Sequence, residues 1–175
     1  FEIANMSSLT YLDIRNTPSL ITSTLPVSLV EFYGNVINQG SNLLPNSLTT
    51  GEVTFIDVGN GNILYADFLN TAQSYTGVTF NATVEAPSDY GDGDNINTYF
   101  NTLDGLSNVV FSLQISQTNF VAAWANNSLA SFPDINLPQG TNFKSAWVNN
   151  SLASFPAIDL SQGTNFTAAW ANNSL

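Results

Sequence analysis

The sequence contains no cysteine and no histidine. Without cysteine there is no disulfide framework and no thiol chemistry. Without histidine the commonest general base and the commonest zinc ligand are both missing. Positive charge is nearly absent too. Arg15 and Lys144 stand alone against thirteen acids, for a formal net charge of −11. A nucleic-acid ligand needs lysines and arginines to displace its counterions, so that partner class is excluded, and an anionic membrane surface is disfavoured. No run of 18 apolar residues occurs, so membrane insertion is not expected. The opening "FEIANMSSLTYLDI" has neither an initiator methionine nor a signal-peptide core. With the abrupt "NNSL" at the other end, it reads as an excerpt of a longer chain.

What is present is a core-forming composition. Of 175 residues, 43% are hydrophobic, enough to bury a sizeable interior. The polar remainder is mostly Asn, Ser, Thr and Gln. One phrase occurs three times: "TNFVAAWANNSL" at 118–129, "TNFKSAWVNNSL" at 141–152 and "TNFTAAWANNSL" at 164–175, a period of 23. A fixed period of this size signals stacked repeats.

Comparing the copies separates fixed from variable positions. Phe120, Ala123, Trp124 and Asn127 recur as Phe143, Ala146, Trp147 and Asn150, and the Phe, Trp and Asn again as Phe166, Trp170 and Asn173. Their i, i+3, i+4, i+7 spacing predicts one face of a short helix, with Thr118 as its N-cap. The variable set Val121/Lys144/Thr167 then faces water. After this segment the period becomes two. Leu129, Phe132, Ile135 and Leu137 recur as Leu152, Phe155, Ile158 and Leu160, while Asp134/Ala157 and Asn136/Asp159 change. That alternation predicts a short strand, and Gly140 and Gly163 turn the chain back.

Each coil is therefore expected to be a helix, a turn, a strand and a return turn. The fold class is α/β: a leucine-rich-repeat-like solenoid of about 23-residue coils, with a parallel strand ladder and short helices opposite. The phrases degenerate upstream. "NINTYFNTL" (95–103) and "ILYADFLN" (63–70) match the helical phrase, with Ile96, Phe100, Leu64 and Phe68 in apolar seats. "LTYLDIRN" (9–16) and "VTFIDVGN" (53–60) share a strand pattern, and "LPVSL" (25–29) returns as "LPNSL" (44–48). The expected organisation is irregular leucine-rich coils over 1–60, divergent coils with an insertion over 61–117, and the regular array over 118–175, in one continuous solenoid.

"SLTYLDIRN" with "LPVSL" resembles bacterial leucine-rich repeats. "GTNFKSAWVNNSLASFPAIDLSQ" resembles the short repeats of the BspA-like, DUF285-type leucine-rich family of bacterial surface and marine phage proteins. In that family a cysteine often holds the seat of Asn127 and Asn150, and this chain has none, so no cysteine-dependent property carries over. The resemblance implies a solenoid with a surface-interaction role and no catalysis.

Candidate sites follow from these patterns. Asn127, Asn150 and Asn173 read as a buried asparagine ladder, and Trp124, Trp147 and Trp170 as core rather than a sugar-stacking row. "SDYGDGDN" (88–95) sets Asp89, Asp92 and Asp94 in a glycine-rich turn. A solvated turn is the default reading, and an oxygen-ligated Ca²⁺ the alternative. Apart from that ion, no cofactor is expected. Sequons at Asn5, Asn81, Asn126, Asn149, Asn165 and Asn172 are ascribed to composition. Partner contacts are expected at the variable positions Asp134, Asn136, Ala157 and Asp159, which can change without disturbing the stack. The expected function is a non-enzymatic structural or adhesive protein on an extracellular surface, in the first place part of a phage virion fibre or receptor-binding protein. A bacterial adhesin or filament subunit is one rival, and a carbohydrate-binding or accessory module of a secreted enzyme another. The partners expected are a protein or glycan surface and neighbouring coils or subunits, end to end.

Overall fold

The computed structural model describes residues 3–37, 43–59 and 61–175, and it is an α/β fold with a mostly parallel sheet and two helices. Asn60, which closes the phrase "VTFIDVGN", lies outside the described residues. The chain forms two compact units, 1–84 with 103–111, and 85–102 with 112–175.

In the first unit, hydrophobic alternation makes the strands, two of which, Tyr11–Asp13 and Thr50–Ile56, overlap the expected strand phrases at 9–16 and 53–60. β1 (Tyr11–Asp13), β2 (Leu20–Ile21), β3 (Glu31–Ile37) and β4 (Thr50–Ile56) precede β5 (Ile63–Leu64), α1 (Tyr65–Ser74) and β6 (Val78–Glu85). β1 and β2 both pair β3 in parallel, β3 pairs β4, and β4 pairs β6. The register sets Asp13, Tyr33, Glu52 and Thr79 side by side. Phe32, Val36, Val53 and Phe80 point inward and are fully buried. Gly51 has φ +147° and leaves no room for a Cβ against the Phe32 carbonyl, so glycine is required where these two strands meet.

The "LPxSL" phrase ties successive strand segments together. Its Leu25, Leu29, Leu44 and Leu48 are buried. Its serine hydroxyl donates to a carbonyl 18 or 19 residues earlier: Ser28 to that of Leu9 at 2.7 Å, and Ser47 to that of Leu29 at 2.6 Å. A forked bond recurs as well. Val30 and Glu31 N–H both donate to the Thr10 carbonyl, and Thr49 and Thr50 N–H both donate to that of Val30. One carbonyl has two lone pairs, so a single oxygen can fix the start of the next strand.

The two upstream matches to the repeat phrase are true helices. α1 buries Tyr65, Phe68, Thr71 and Ala72, but Leu64, expected in an apolar seat, is exposed just before it. Asn108 holds the end of α1 by donating to the carbonyls of Ala72 and Tyr75. α2 (Asn95–Asp104) carries the buried Ile96 and Leu103, and β7 (Val109–Gln114) follows it.

The three regular copies, by contrast, are not helical, which corrects the expectation from their spacing. Ala122, Ser145 and Ala168 have φ of 54°, 55° and 54°, and Asn126, Asn149 and Asn172 have φ of 61°, 56° and 56°. Positive φ cannot occur inside a right-handed helix. Each copy is instead two consecutive tight turns. In the first copy Ala123 N–H donates to Phe120 and Ala125 N–H to Ala122. The intervening N–H groups leave the segment: Phe120, Ala122, Trp124 and Asn126 donate to Asn142, Lys144, Ala146 and Val148 of the next copy, at 2.7 to 3.0 Å. Phe143, Ser145, Trp147 and Asn149 repeat this towards Asn165, Thr167, Ala169 and Ala171. An α-helix would spend those donors within itself. Here they join neighbours, and the gain offsets the cost of about 1–2 kcal/mol for a left-handed residue.

The expected strands at 134–137 and 157–160 also do not form. The region shows one parallel bridge, Gln114 to Asn136, whereas successive copies pair at Asn119–Asn142 and Asn142–Asn165. Pro133, Pro138 and Pro156 have no N–H to give, which prevents a continuous ladder there. The alternation survives as burial alone. Ile135 and Leu137 are buried, and Asp134 and Asn136 are exposed.

Copy-on-copy stacking is as the periodicity requires. Phe120, Phe143 and Phe166 lie ring over ring at 5.3 Å. Trp124, Trp147 and Trp170 do so at 5.2 and 5.3 Å, and Phe132 over Phe155 at 5.5 Å. Each tryptophan also meets a phenylalanine edge-on, Trp124 with Phe132 and Trp147 with Phe155, both at 4.8 Å. The forked bond seen upstream returns, with Thr141 and Asn142 N–H on the Thr118 carbonyl and Thr164 and Asn165 N–H on that of Thr141.

Candidate functional site

Asn150 shows what the fixed asparagines do. Its Nδ2 donates to the carbonyls of Trp124 and Trp147 at 2.8 and 3.0 Å, and its Oδ1 accepts from the N–H of Leu129 and Asn127 at 2.9 and 3.1 Å. Asn173 repeats this one copy on, donating to Trp147 and Trp170 and accepting from Leu152. Asn127 donates to the Gly91 carbonyl. These amides bond backbone, not one another. The side-chain ladder is a separate one on the surface, which the spacing alone did not reveal: Asn149 donates to Asn126 at 2.9 Å and Asn172 to Asn149 at 2.6 Å. Tolerance of positive φ by asparagine is the sequence signal that marks those positions. Trp124 Nε1 donates to the Tyr90 carbonyl, while Trp147 and Trp170 Nε1 are buried without a partner among the described residues. Trp124 and Trp147 are core and wholly inaccessible, while Trp170 is half-buried.

The aspartates of the glycine-rich turn have separate local employment. Asp89 accepts from the Tyr99 hydroxyl at 2.5 Å and from Asn95, and Asp94 accepts from Asn97 Nδ2 at 2.6 Å at the start of α2. Among the described residues, no group of three or more His, Cys, Asp or Glu is placed to hold a metal ion, so Asp89, Asp92 and Asp94 are not brought together as one ligand set.

The variable positions Asp134, Asn136, Ala157 and Asp159 are all exposed. The side chains of Asp134 and Asn136 have no hydrogen-bond partner among the described residues. Asp159 accepts from Ser161 N–H at 2.8 Å, which holds its carboxyl below the ordinary range. Beside Asn136, across the bridge to Gln114, lies a polar cluster. Glu85 accepts from the Ser116 N–H at 2.6 Å and from its hydroxyl at 2.9 Å.

The first unit carries a second polar surface, on the outward side of β1, β3 and β4, that the sequence reading did not single out. Arg15 grips Asp13 through Nη2 and Nε at 2.6 and 3.1 Å, and it lies 3.8 Å from Glu52 and 4.2 Å above the Tyr33 ring. Its hydrogen bonds hold Asp13 below the usual carboxylate range. The Tyr33 hydroxyl donates to Glu31 at 2.8 Å, which raises its pKa, and its ring meets the half-exposed Tyr11 at 6.3 Å. The i, i+2 alternation of "TYLDIRN" and "EFYGN" marks which residues share a face of each strand, but only the strand register brings the two strands' residues together. Carboxylates, an amide at Asn81 and an accessible tyrosine face can hydrogen-bond and stack on a polyhydroxylated or polar partner. No helix among the described residues is long and apolar enough to cross a membrane. No family model, no curated protein and no solved structure matches this chain.

Proposed function

We propose that the chain is a segment of a solenoid with a non-enzymatic, structural and adhesive role, presenting its outward polar residues to a protein or glycan surface outside the cell. The observation that carries this reading is a division of labour within each repeat. The fixed side chains and the backbone are consumed in copy-to-copy contacts, as the Asn150 amide and the aromatic columns illustrate. The positions that change, Asp134/Ala157 and Asn136/Asp159, are exposed, and their side chains make no copy-to-copy contact among the described residues. A scaffold built this way can vary its surface without altering its core. The absence of histidine and cysteine supports the non-enzymatic reading. The likeness to repeats of phage and bacterial surface proteins supports a virion fibre or a surface adhesin as its setting.

The cluster of Tyr11, Tyr33, Asp13, Glu31 and Glu52 favours a glycan as the second reading of the partner, since sugars take stacking and carboxylate acceptors together. An array of host-cell glycans and surface proteins tests the function directly. With a ligand so found, Asn136→Ala with Asp159→Ala should weaken binding about tenfold. The melting temperature should move by less than about 3 °C, because exposed substitutions stay within roughly 0.5 kcal/mol. Unchanged binding would contradict the assignment of this surface.

A further inference from the structure

Over 119–126 and the equivalent stretches, each copy of the phrase is a polar ribbon. The peptide groups that reach upstream present carbonyls, as at Asn142, Lys144, Ala146 and Val148. Those that reach downstream present N–H groups, as at Phe143, Ser145, Trp147 and Asn149. An ordinary strand edge mixes the two. The ribbon therefore stacks in one sense only, with the carbonyls of each copy on the N–H groups of the copy before.

The upstream end of the array is closed within its own unit. Asn150 and Asn173 each donate to the tryptophan carbonyl of the copy before, and Asn127 donates to the Gly91 carbonyl instead, at 2.7 Å. The Tyr90 ring lies 5.7 Å from that of Trp124, and Gly91 leaves no room for a Cβ against the Ala123 carbonyl. Residues 90 and 91 stand in for a preceding copy.

The downstream side of the third copy is open. The N–H groups of Phe166, Ala168, Trp170 and Asn172 have no acceptor among the described residues, although their equivalents in both earlier copies do. The Thr164 carbonyl lacks the forked pair of N–H groups that those of Thr118 and Thr141 receive. The Trp147 carbonyl takes the amides of Asn150 and Asn173, whereas that of Trp170 takes Asn173 alone among the described residues. Phe143 and Trp147 are fully buried, but Phe166 and Trp170 are only half-buried.

These unmet groups specify what fits: carbonyls on alternate residues, two adjacent N–H groups, a carboxamide and two flat aromatic faces. We propose that this face is a docking site for an uncapped ribbon of another chain that carries the same "TNFxxAWxNN" phrase. It continues an interface that the structure already contains twice. A second copy of this chain does not fit, because residues 90 and 91 cover the side it would offer, and two downstream faces would set N–H against N–H. A row of N–H groups also attracts anions, but an anion leaves the carbonyls and rings unmet and is repelled by the net charge of −11. The proposal rests on the stacking of the copies and is independent of the adhesive surface, since it uses neither Asn136 nor Asp159.

Amide exchange in the intact, isotope-labelled chain, read by NMR with unlabelled peptide in millimolar excess, tests this. A peptide of residues 140–162, "GTNFKSAWVNNSLASFPAIDLSQ", should slow exchange at Phe166, Ala168, Trp170 and Asn172 at least about threefold. Ala169 and Ala171, already bonded within their own turns, should change little. The same peptide with Phe143→Ala and Trp147→Ala should slow none of the four, and neither should inorganic phosphate. Without peptide the chain should sediment as a monomer. No slowing by the parent peptide would overturn the proposal. So would equal slowing by the substituted peptide, which marks an unspecific edge, slowing by phosphate, which marks an anion site, or self-association that protects the same four amides, which makes a second copy the occupant.

Discussion

Replacing Trp147 with alanine should destabilise the repeat array by about 4 kcal/mol, within the range for removing a large buried aromatic. Trp147 is the middle ring of its column, 5.2 Å from Trp124 and 5.3 Å from Trp170, and it meets Phe132 and Phe155 edge-on. Its loss leaves a void that neither neighbour can fill without breaking the 23-residue register. Because each copy touches only the next, the void also separates the first copy from the third. The three tryptophans of the chain all lie in this array. Denaturant titration followed by the fluorescence of Trp124 and Trp170 therefore reads the array alone. A midpoint within experimental error of the parent would show that the column does not support the stack.

Asn150→Ala should cost nearly as much, about 3 kcal/mol, although it removes little volume. The amide serves four backbone groups at once: the carbonyls of Trp124 and Trp147, and the N–H of Leu129 and Asn127. Buried groups left without partners cost about 1–3 kcal/mol each, softened where water can enter. Asn150→Asp keeps the shape and the acceptor but loses both donors, and it sets a negative charge against two carbonyl oxygens, so it should be no better tolerated. Asn149→Ala is the control. Its amide joins the exposed ladder of Asn126 and Asn172, where water replaces lost bonds, and it should cost less than about 1 kcal/mol. Equal losses at 149 and 150 in the same titration would contradict the distinction between the buried and surface ladders.

Periodicity made the packing legible. The fixed phenylalanines and tryptophans are the stacked residues, buried at Phe120, Trp124, Phe132, Phe143 and Trp147 as Asn150 is, and Asp134, Asn136, Ala157 and Asp159 are exposed as their variation suggests. The backbone was not legible, for a definite reason. Spacing of i, i+4 puts Phe120 and Trp124 on one face of a helix. It does the same in a chain that makes a turn every four residues, as the positive φ at Ala122 and Asn126 shows. Side-chain periodicity reports which residues face inward, and two backbones share this period. Ala122 pointed towards helix by its intrinsic preference. Only the paired asparagines hinted at left-handed backbone. Upstream, where the phrase degenerates to "NINTYFNTL", the local preference prevails and α2 forms. Of the candidate sites, exposure at the variable positions could be read from the sequence. The Arg15–Tyr33–Glu52 cluster could not, because its members meet only through the parallel register of β1, β3 and β4.

The central claim is that the repeated phrase is a ribbon of left-handed turns joined copy to copy, and glycine substitution at Ala122 and Ala168 tests it by sign. Inside a helix, each Ala→Gly change costs about 1 kcal/mol. At φ of 54° the same change relieves roughly 1–2 kcal/mol of steric cost and gives back part of it as chain entropy in the unfolded state. The double variant Ala122→Gly, Ala168→Gly should therefore be more stable than the parent, by about 1 kcal/mol in denaturant titration followed by tryptophan fluorescence. A loss of about 2 kcal/mol would restore the helix and contradict the account.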